Sequence, residues 1–462
     1  MKKLTTKILV YYAISSALLL WMVLHPAAAL AQKGNSNPTA GNNRGQSGGK
    51  AGKTLDDGIE IVNKGIQLFK QLGQLVDAGK RTASDFNKNV KVVNDKTPQK
   101  APPAGATTKP SYKKGAFQNF RWEPVAYFDQ QLFPSVIISM ANYKGQLNDP
   151  LMNAIKSSAL GIRLLSGADF IPVKWEIESI DKNYFDKVSG DFMIEGKGQE
   201  TYYMPNIPWN MQYLAKHVSS SPVNIMYRLY DEAGNKEEKS IPLFMRSIND
   251  CLYLYKEQTL FFMFTAYIQE QHPEIDKILK EALNSKLVGS IHGYQADENS
   301  VIMQVAAIWK VLHDRGFQYS SITNTTAAST AQLGSQQVRT FDMALKTQQA
   351  NCVDGSVMLC SILRAMGIST ALVLVPGHCF MGFHTSPKKD KMVFVETTLM
   401  SDDEFLAKAK TPAEKQKAYL AQFNKAMQYG MQQYKKNSTS AEGYAKLVNV
   451  DEYRNYLRPS PF

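Results

Sequence analysis

Seventeen consecutive residues, Asn351-Cys352-Val353-Asp354-Gly355-Ser356-Val357-Met358-Leu359-Cys360-Ser361-Ile362-Leu363-Arg364-Ala365-Met366-Gly367, constrain this chain more than any other stretch. The run is apolar on nearly every side, so the helix it forms has to be buried on all faces. Gly367 suits the residue just past its C-terminus, where a left-handed backbone is common. Cys352 then opens the helix, where free N–H groups and the helix dipole favour a thiolate. A cysteine in that place is a candidate nucleophile. Cys360, two turns further in, reads as a small buried hydrophobe, as does Cys379.

The residues that follow read as strands. Ile368–Val375 is one, Pro376-Gly377 breaks it, His378–His384 is the second, and Asp390–Glu396 is the third after a turn around Pro387. A hairpin register that sets His378 opposite Glu396 also sets Phe380 opposite Phe394 and Met381 opposite Val393. Both faces then receive apolar pairs, and the only plausible base sits beside the only plausible carboxylate. Such a carboxylate fixes the imidazole tautomer and leaves the other ring nitrogen for the cysteine proton. Gln336 is a candidate oxyanion donor together with the Cys352 backbone N–H, the alternative being a plain surface amide. Asp354 reads as a first-turn charge on the helix dipole. His272, His292, His313 and His384 show no metal-ligand spacing, and neither a metal nor a cofactor is expected.

A cysteine at a buried helix start, then a strand, a histidine opening the next strand and an acid closing the third resembles the transglutaminase-like superfamily of papain-type cysteine enzymes. The resemblance is most specific over residues 336–398. A weaker similarity to bacterial envelope proteins of this class runs through His272-Pro273 and Gly293-Tyr294-Gln295. It implies a Cys-His-Asp triad whose roles fall on Cys352, His378 and Glu396, with Glu departing from the usual Asp by one methylene. It also implies an antiparallel sheet packed on the nucleophile helix.

The rest of the chain divides by composition. Lys2, Lys3 and Lys7 precede an apolar run from Ile8 to Leu24, and Ala29-Leu30-Ala31 offers a small-x-small cleavage site, so residues 1–31 read as a secretory signal. An uncleaved anchor is the alternative, since 17 apolar residues reach the lower edge of a bilayer span. The expected location is the periplasm or the extracellular space. Residues 32–54 are too poor in large apolar side chains to fold. Residues 55–95 carry a helical period through Leu55, Ile59, Val62, Ile66, Phe69, Leu72 and Val76. Residues 96–114 read as a linker.

Residues 115–250 show short β runs at Val136-Ile137-Ile138, Gly161–Leu165, Val173–Ile177 and Val223–Leu229, punctuated by Pro, Gly, Asn and Ser. Their spacing predicts an immunoglobulin-like β-sandwich. Residues 251–462 form the transglutaminase-like part, so the fold class expected is α+β. Helical periods recur there from Ile275 to Leu283, from Val301 to Leu312 with a stop at Gly316, and after Thr398.

Charge and cysteine count exclude several functions. Residues 1–114 hold 18 Lys and Arg against 6 Asp and Glu, whereas residues 115–462 hold 35 of each. A nucleic-acid surface needs its excess on a folded face, and the body of this protein has none. The basic leader is a candidate contact for an anionic envelope surface, or simply a solvated tail. No later stretch is long and apolar enough to span a membrane. Four cysteines, Cys251, Cys352, Cys360 and Cys379, are too few for a disulfide framework in a chain of 462 residues.

Two functions remain in view. One is a cysteine enzyme that attacks an amide or acyl carbonyl of a protein or peptide through a thioacyl intermediate, resolved by water as a protease or by an amine as an acyltransferase. The other is a noncatalytic envelope module that keeps the same fold for binding or assembly.

Overall fold

The computed structural model describes residues 90–95, 113–115, 117–141, 159–256, 258–320, 332–439 and 444–459. The expected leader over 1–31, the low-complexity stretch 32–54, the helical period of 55–89 and nearly all of the linker 96–114 lie outside those residues. The described chain is α+β, with several separate sheets.

Two sheets occupy the first part. One runs β1 (Val90–Asn94), β7 (Glu200–Met204), β4 (Leu160–Ser166) and β2 (Phe120–Ala126) in spatial order. The other runs β3 (Gln131–Leu132), β9 (Lys236–Met245), β8 (Ser221–Tyr230), β5 (Ile171–Ser179) and β6 (Val188–Ile194). In β5 the side chains of Ile171, Val173, Trp175 and Ile177 are all buried, the period of two that a half-covered strand requires. The sheets meet through Tyr203, whose ring stacks on Phe192 at 4.0 Å and lies 5.6 Å from Trp175. Gly190 makes room for that tryptophan, since a Cβ there would lie 2.7 Å from its ring.

Two expectations fail here. Val136-Ile137-Ile138 is not a strand but part of helix α1 (Pro134–Met140), which starts on a proline and is buried at all seven positions. A segment covered on every side carries no periodic signal, so three β-branched residues misread as strand. Residues 90–94, expected at the end of a helical stretch, form β1, because β7 offers them a parallel partner from Val90–Glu200 to Asn94–Met204.

The second part begins with β10 (Asp250–Tyr255), flanked by β11 (Gln258–Thr259) and β13 (Leu333–Gln337). Helices α2 (Glu274–Asn284) and α3 (Glu298–Asp314) follow the expected periods, and Gly316 ends α3 at φ +77°. A short parallel pair, β12 (Gln318–Tyr319) with β14 (Gln349–Ala350), leads past α4 (Phe341–Thr347) into α5 (Cys352–Ala365). Beyond it lies a sheet of order β17 (Met392–Val395), β16 (His378–His384), β15 (Thr370–Val375) and β18 (Lys446–Asn449).

Both faces of this last sheet are covered. Cys379, Met381 and Phe383 join the core that holds Leu359 and Ile362 of α5, while Val373, Val375, Phe380 and Phe394 form a second cluster with Tyr434. Tyr434 belongs to α6 (Pro412–Thr439), and its ring stacks on Phe394 at 4.1 Å. Gly430 lets α6 approach so closely that a Cβ there would sit 2.8 Å from the Phe394 and Val395 backbone. Among the described residues no helix is long and apolar enough to cross a membrane.

Candidate active site

Helix α5 starts at Cys352 because Asn351 caps it. The Asn351 Oδ1 accepts the N–H groups of Val353 at 2.9 Å and Asp354 at 2.8 Å, and Asp354 Oδ2 accepts the Asn351 N–H in return at 3.0 Å. This is a reciprocal capping box. Asp354 does more than face the helix dipole. Its carboxylate also accepts the Arg339 N–H at 2.8 Å and the Arg339 Nη1 at 2.6 Å, which ties the exit of β13 to the start of α5. Burial pushes the Asp354 carboxyl up, against the pull of those donors. The Cys352 carbonyl is held in turn by the hydroxyls of Ser356 at 2.7 Å and Thr397 at 3.5 Å. The nucleophile candidate therefore stands on a clamped peptide with its own side chain half-buried.

His378 opens β16 directly after the turn at Gly377, whose φ of +72° favours glycine. Its Nε2 lies 2.6 Å from Glu396 Oε2. Glu396 is fully buried, and its other oxygen accepts the Thr398 N–H at 3.1 Å and the Thr398 hydroxyl at 2.7 Å. The Glu396 backbone N–H donates to the Ala426 carbonyl of α6 at 3.1 Å. Burial pulls the imidazole pKa down, but hydrogen bonding to Cys352 and to Glu396, with their negative charges, outweighs it and lifts His378 to about 10. The structure thus brings Cys352, His378 and Glu396 into one contiguous group.

The register expected for the hairpin is corrected. Met381 pairs with Val395, Gly382 with Phe394, Phe383 with Val393 and His384 with Met392, a shift of two residues. Glu396 lies one residue past the end of this ladder and caps the short 3-10 helix Thr397–Ser401. A shift of two leaves every side chain on its original face, so Glu396 still reaches His378, diagonally instead of directly across. Phe380 and Phe394 also remain neighbours, with ring centroids 6.2 Å apart.

Gln336 sits in β13 opposite Cys251, half-buried, and its side chain makes no hydrogen bond to Cys352, His378 or Glu396. All four cysteines are free thiols. Burial pushes Cys360 up to about 12 and Cys379 well above the ordinary thiol range, which suits inert core residues. No group of His, Cys, Asp and Glu among the described residues has the makings of a metal site.

The upstream signals serve the framework. His272 bonds Asp342 through Nε2 at 3.0 Å and accepts the Glu274 N–H through Nδ1 at 3.2 Å, which anchors the start of α2. Gly293 has φ +56° and passes the Met366 carbonyl where a Cβ would collide. The Tyr294 hydroxyl then accepts the Ser369 N–H at 2.8 Å and donates to the His384 carbonyl at 3.2 Å. These contacts brace the end of β16 remote from His378.

Two groups escaped the sequence. Arg339 has no local pattern to mark it, and the capping box of Asn351 and Asp354 was not read from the sequence either. Tyr319 lies 33 positions before Cys352, yet β12 pairs it with Ala350, and burial together with the charges of Cys352 and Glu396 raises its phenol pKa. Compared with family models, curated proteins and solved structures, the chain matches none.

Proposed function

We propose that this protein is a cysteine hydrolase or acyltransferase acting on an amide or acyl carbonyl, with Cys352 as nucleophile, His378 as base and Glu396 as the orienting carboxylate. One observation carries the reading: a single imidazole lies 2.6 Å from a buried carboxylate and is close enough to the cysteine at a helix start for its pKa to be raised by both. His378 takes the Cys352 proton, and the sulfur forms a bond to the carbonyl carbon of the substrate. The tetrahedral adduct collapses as the C–N or C–O bond breaks and His378 returns its proton to the leaving group. Water or an amine then attacks the thioester, His378 removing the proton of the incoming group, and Cys352 is released.

Glu396 keeps the ring oriented and stabilises the imidazolium throughout. On this reading residues 251–462 are a transglutaminase-like domain and residues 115–250, with β1 added to one sheet, an immunoglobulin-like sandwich. Export through the leader places protein or peptide substrates outside the cytoplasm. Alkylation by iodoacetamide across pH tests the proposal. Cys352 should react well below the free-thiol pKa of about 8.5, while Cys251, Cys360 and Cys379 stay silent. An ordinary thiol profile at Cys352 would instead favour a noncatalytic module.

A further inference from the structure

A pocket opens beside the triad, and its chemistry bears on the substrate. Its floor is Thr397 and Met400, each 5% exposed, its walls include Ala350 and Gly355, and Tyr319 and Ser401 stand at its mouth. Three of these adjoin the triad in the chain. Ala350 precedes Cys352 by two residues, Gly355 follows it by about one turn, and Thr397 succeeds Glu396. The Thr397 hydroxyl donates to the Cys352 carbonyl, so the floor is pinned to the nucleophile's own peptide. Tyr319 is held at the mouth by its pairing with Ala350 and by donation of its N–H to the Ser401 hydroxyl at 3.4 Å.

Size and polarity are both restrictive. The pocket is narrow: its volume of about 220 Å³ includes the open solvent at its mouth, and the enclosed part holds only about a methyl or hydroxymethyl group. Gly355 contributes to the narrowness, because Thr397 closes against the helix where a Cβ on residue 355 would be 3.1 Å from its hydroxyl. No charged side chain lines the space, so a charged group entering it would lose water and find no counter-ion.

We propose that this pocket receives the side chain next to the carbonyl attacked by Cys352 and selects small, uncharged residues of alanine or serine size. The inference rests on the catalytic reading above. A larger side chain has to displace Met400 from its packed position, and a lysine or glutamate is excluded by desolvation.

The test uses the full chain and three tripeptidyl chloromethyl ketones that differ only in Ala, Leu or Lys beside the ketone. The Cys352 sulfur displaces chloride, forming one C–S bond, and intact-mass and peptide mapping give the rate. The expected order is Ala ahead of both Leu and Lys by about tenfold or more. In Met400→Ala the ratio of Leu to Ala rates should rise. Equal rates for the three reagents in the wild type overturn the pocket assignment, and they leave the nucleophile standing if they exceed those of the unfolded chain. Rates at Cys352 no faster than in the unfolded chain with every reagent overturn the nucleophile and the pocket together. The wild-type comparison decides even if Met400→Ala does not fold.

Discussion

Replacing Glu396 by glutamine removes one charge from the centre of the site and changes nothing else in size. Both Glu396 oxygens act as acceptors, one for the His378 Nε2–H and the other for the Thr398 N–H and hydroxyl. A glutamine has one acceptor oxygen and one NH2 group. Whichever way it is turned, either the imidazole or the Thr398 N–H faces a donor. An opposite charge in contact shifts a pKa by about 1–3 units, and each unit is about 1.4 kcal/mol. His378 should therefore titrate about 1–3 units lower in Glu396→Gln, a loss of up to about 4 kcal/mol in stabilisation of the imidazolium. Imidazole Cε1–H resonances followed by NMR against pH report this directly, and the pH profile of Cys352 alkylation reports its consequence. Glu396→Asp keeps the charge and should recover part of the shift. A His378 titration that moves by less than about half a unit in a folded Glu396→Gln protein would refute the electrostatic account, since a charge at that separation cannot be so weakly felt.

Other expectations concern the same framework. Cys352→Ala should abolish any amide-cleaving or acyl-transfer activity on a substrate the wild type turns over, whereas Cys360→Ala should only lower stability, by about 1 kcal/mol for its small buried side chain, measured by urea unfolding. Gly430→Ala forces a Cβ against the Phe394 and Val395 backbone, so it should destabilise by about 1–3 kcal/mol and slow Cys352 alkylation by moving Glu396. The raised pKa of His378 makes its protonation favour the folded state fully below about 6.5, the unfolded value. That contribution should fade as pH rises toward about 10. Unfolding free energies at pH 7 and pH 9.5 should accordingly fall more in the wild type than in His378→Asn; equal slopes would contradict the linkage.

How far the sequence reaches can be judged element by element. The limits of α5, the turn at Gly377 and the extent of β16 are local matters, set by a cap, a positive φ and a run of apolar residues, and all were legible. Burial from every side erased the signal at α1, and a partner more than 100 residues away made β1 a strand. Neither can be read from neighbours in the chain.

At the site itself the division is sharper. The sequence by itself determined that Cys352 opens a buried helix, that His378 opens a strand, and that Glu396 shares its face, because helix caps and two-residue alternation are properties of short segments. Alternation repeats every two residues, so it cannot distinguish registers that differ by two. Only the tertiary structure decided between them. Helix α6 presses Gly430 onto the Phe394 and Val395 backbone and takes the Glu396 N–H with the Ala426 carbonyl, drawing Glu396 out of the ladder. That placement of the carboxylate depends on a helix some 30 residues downstream.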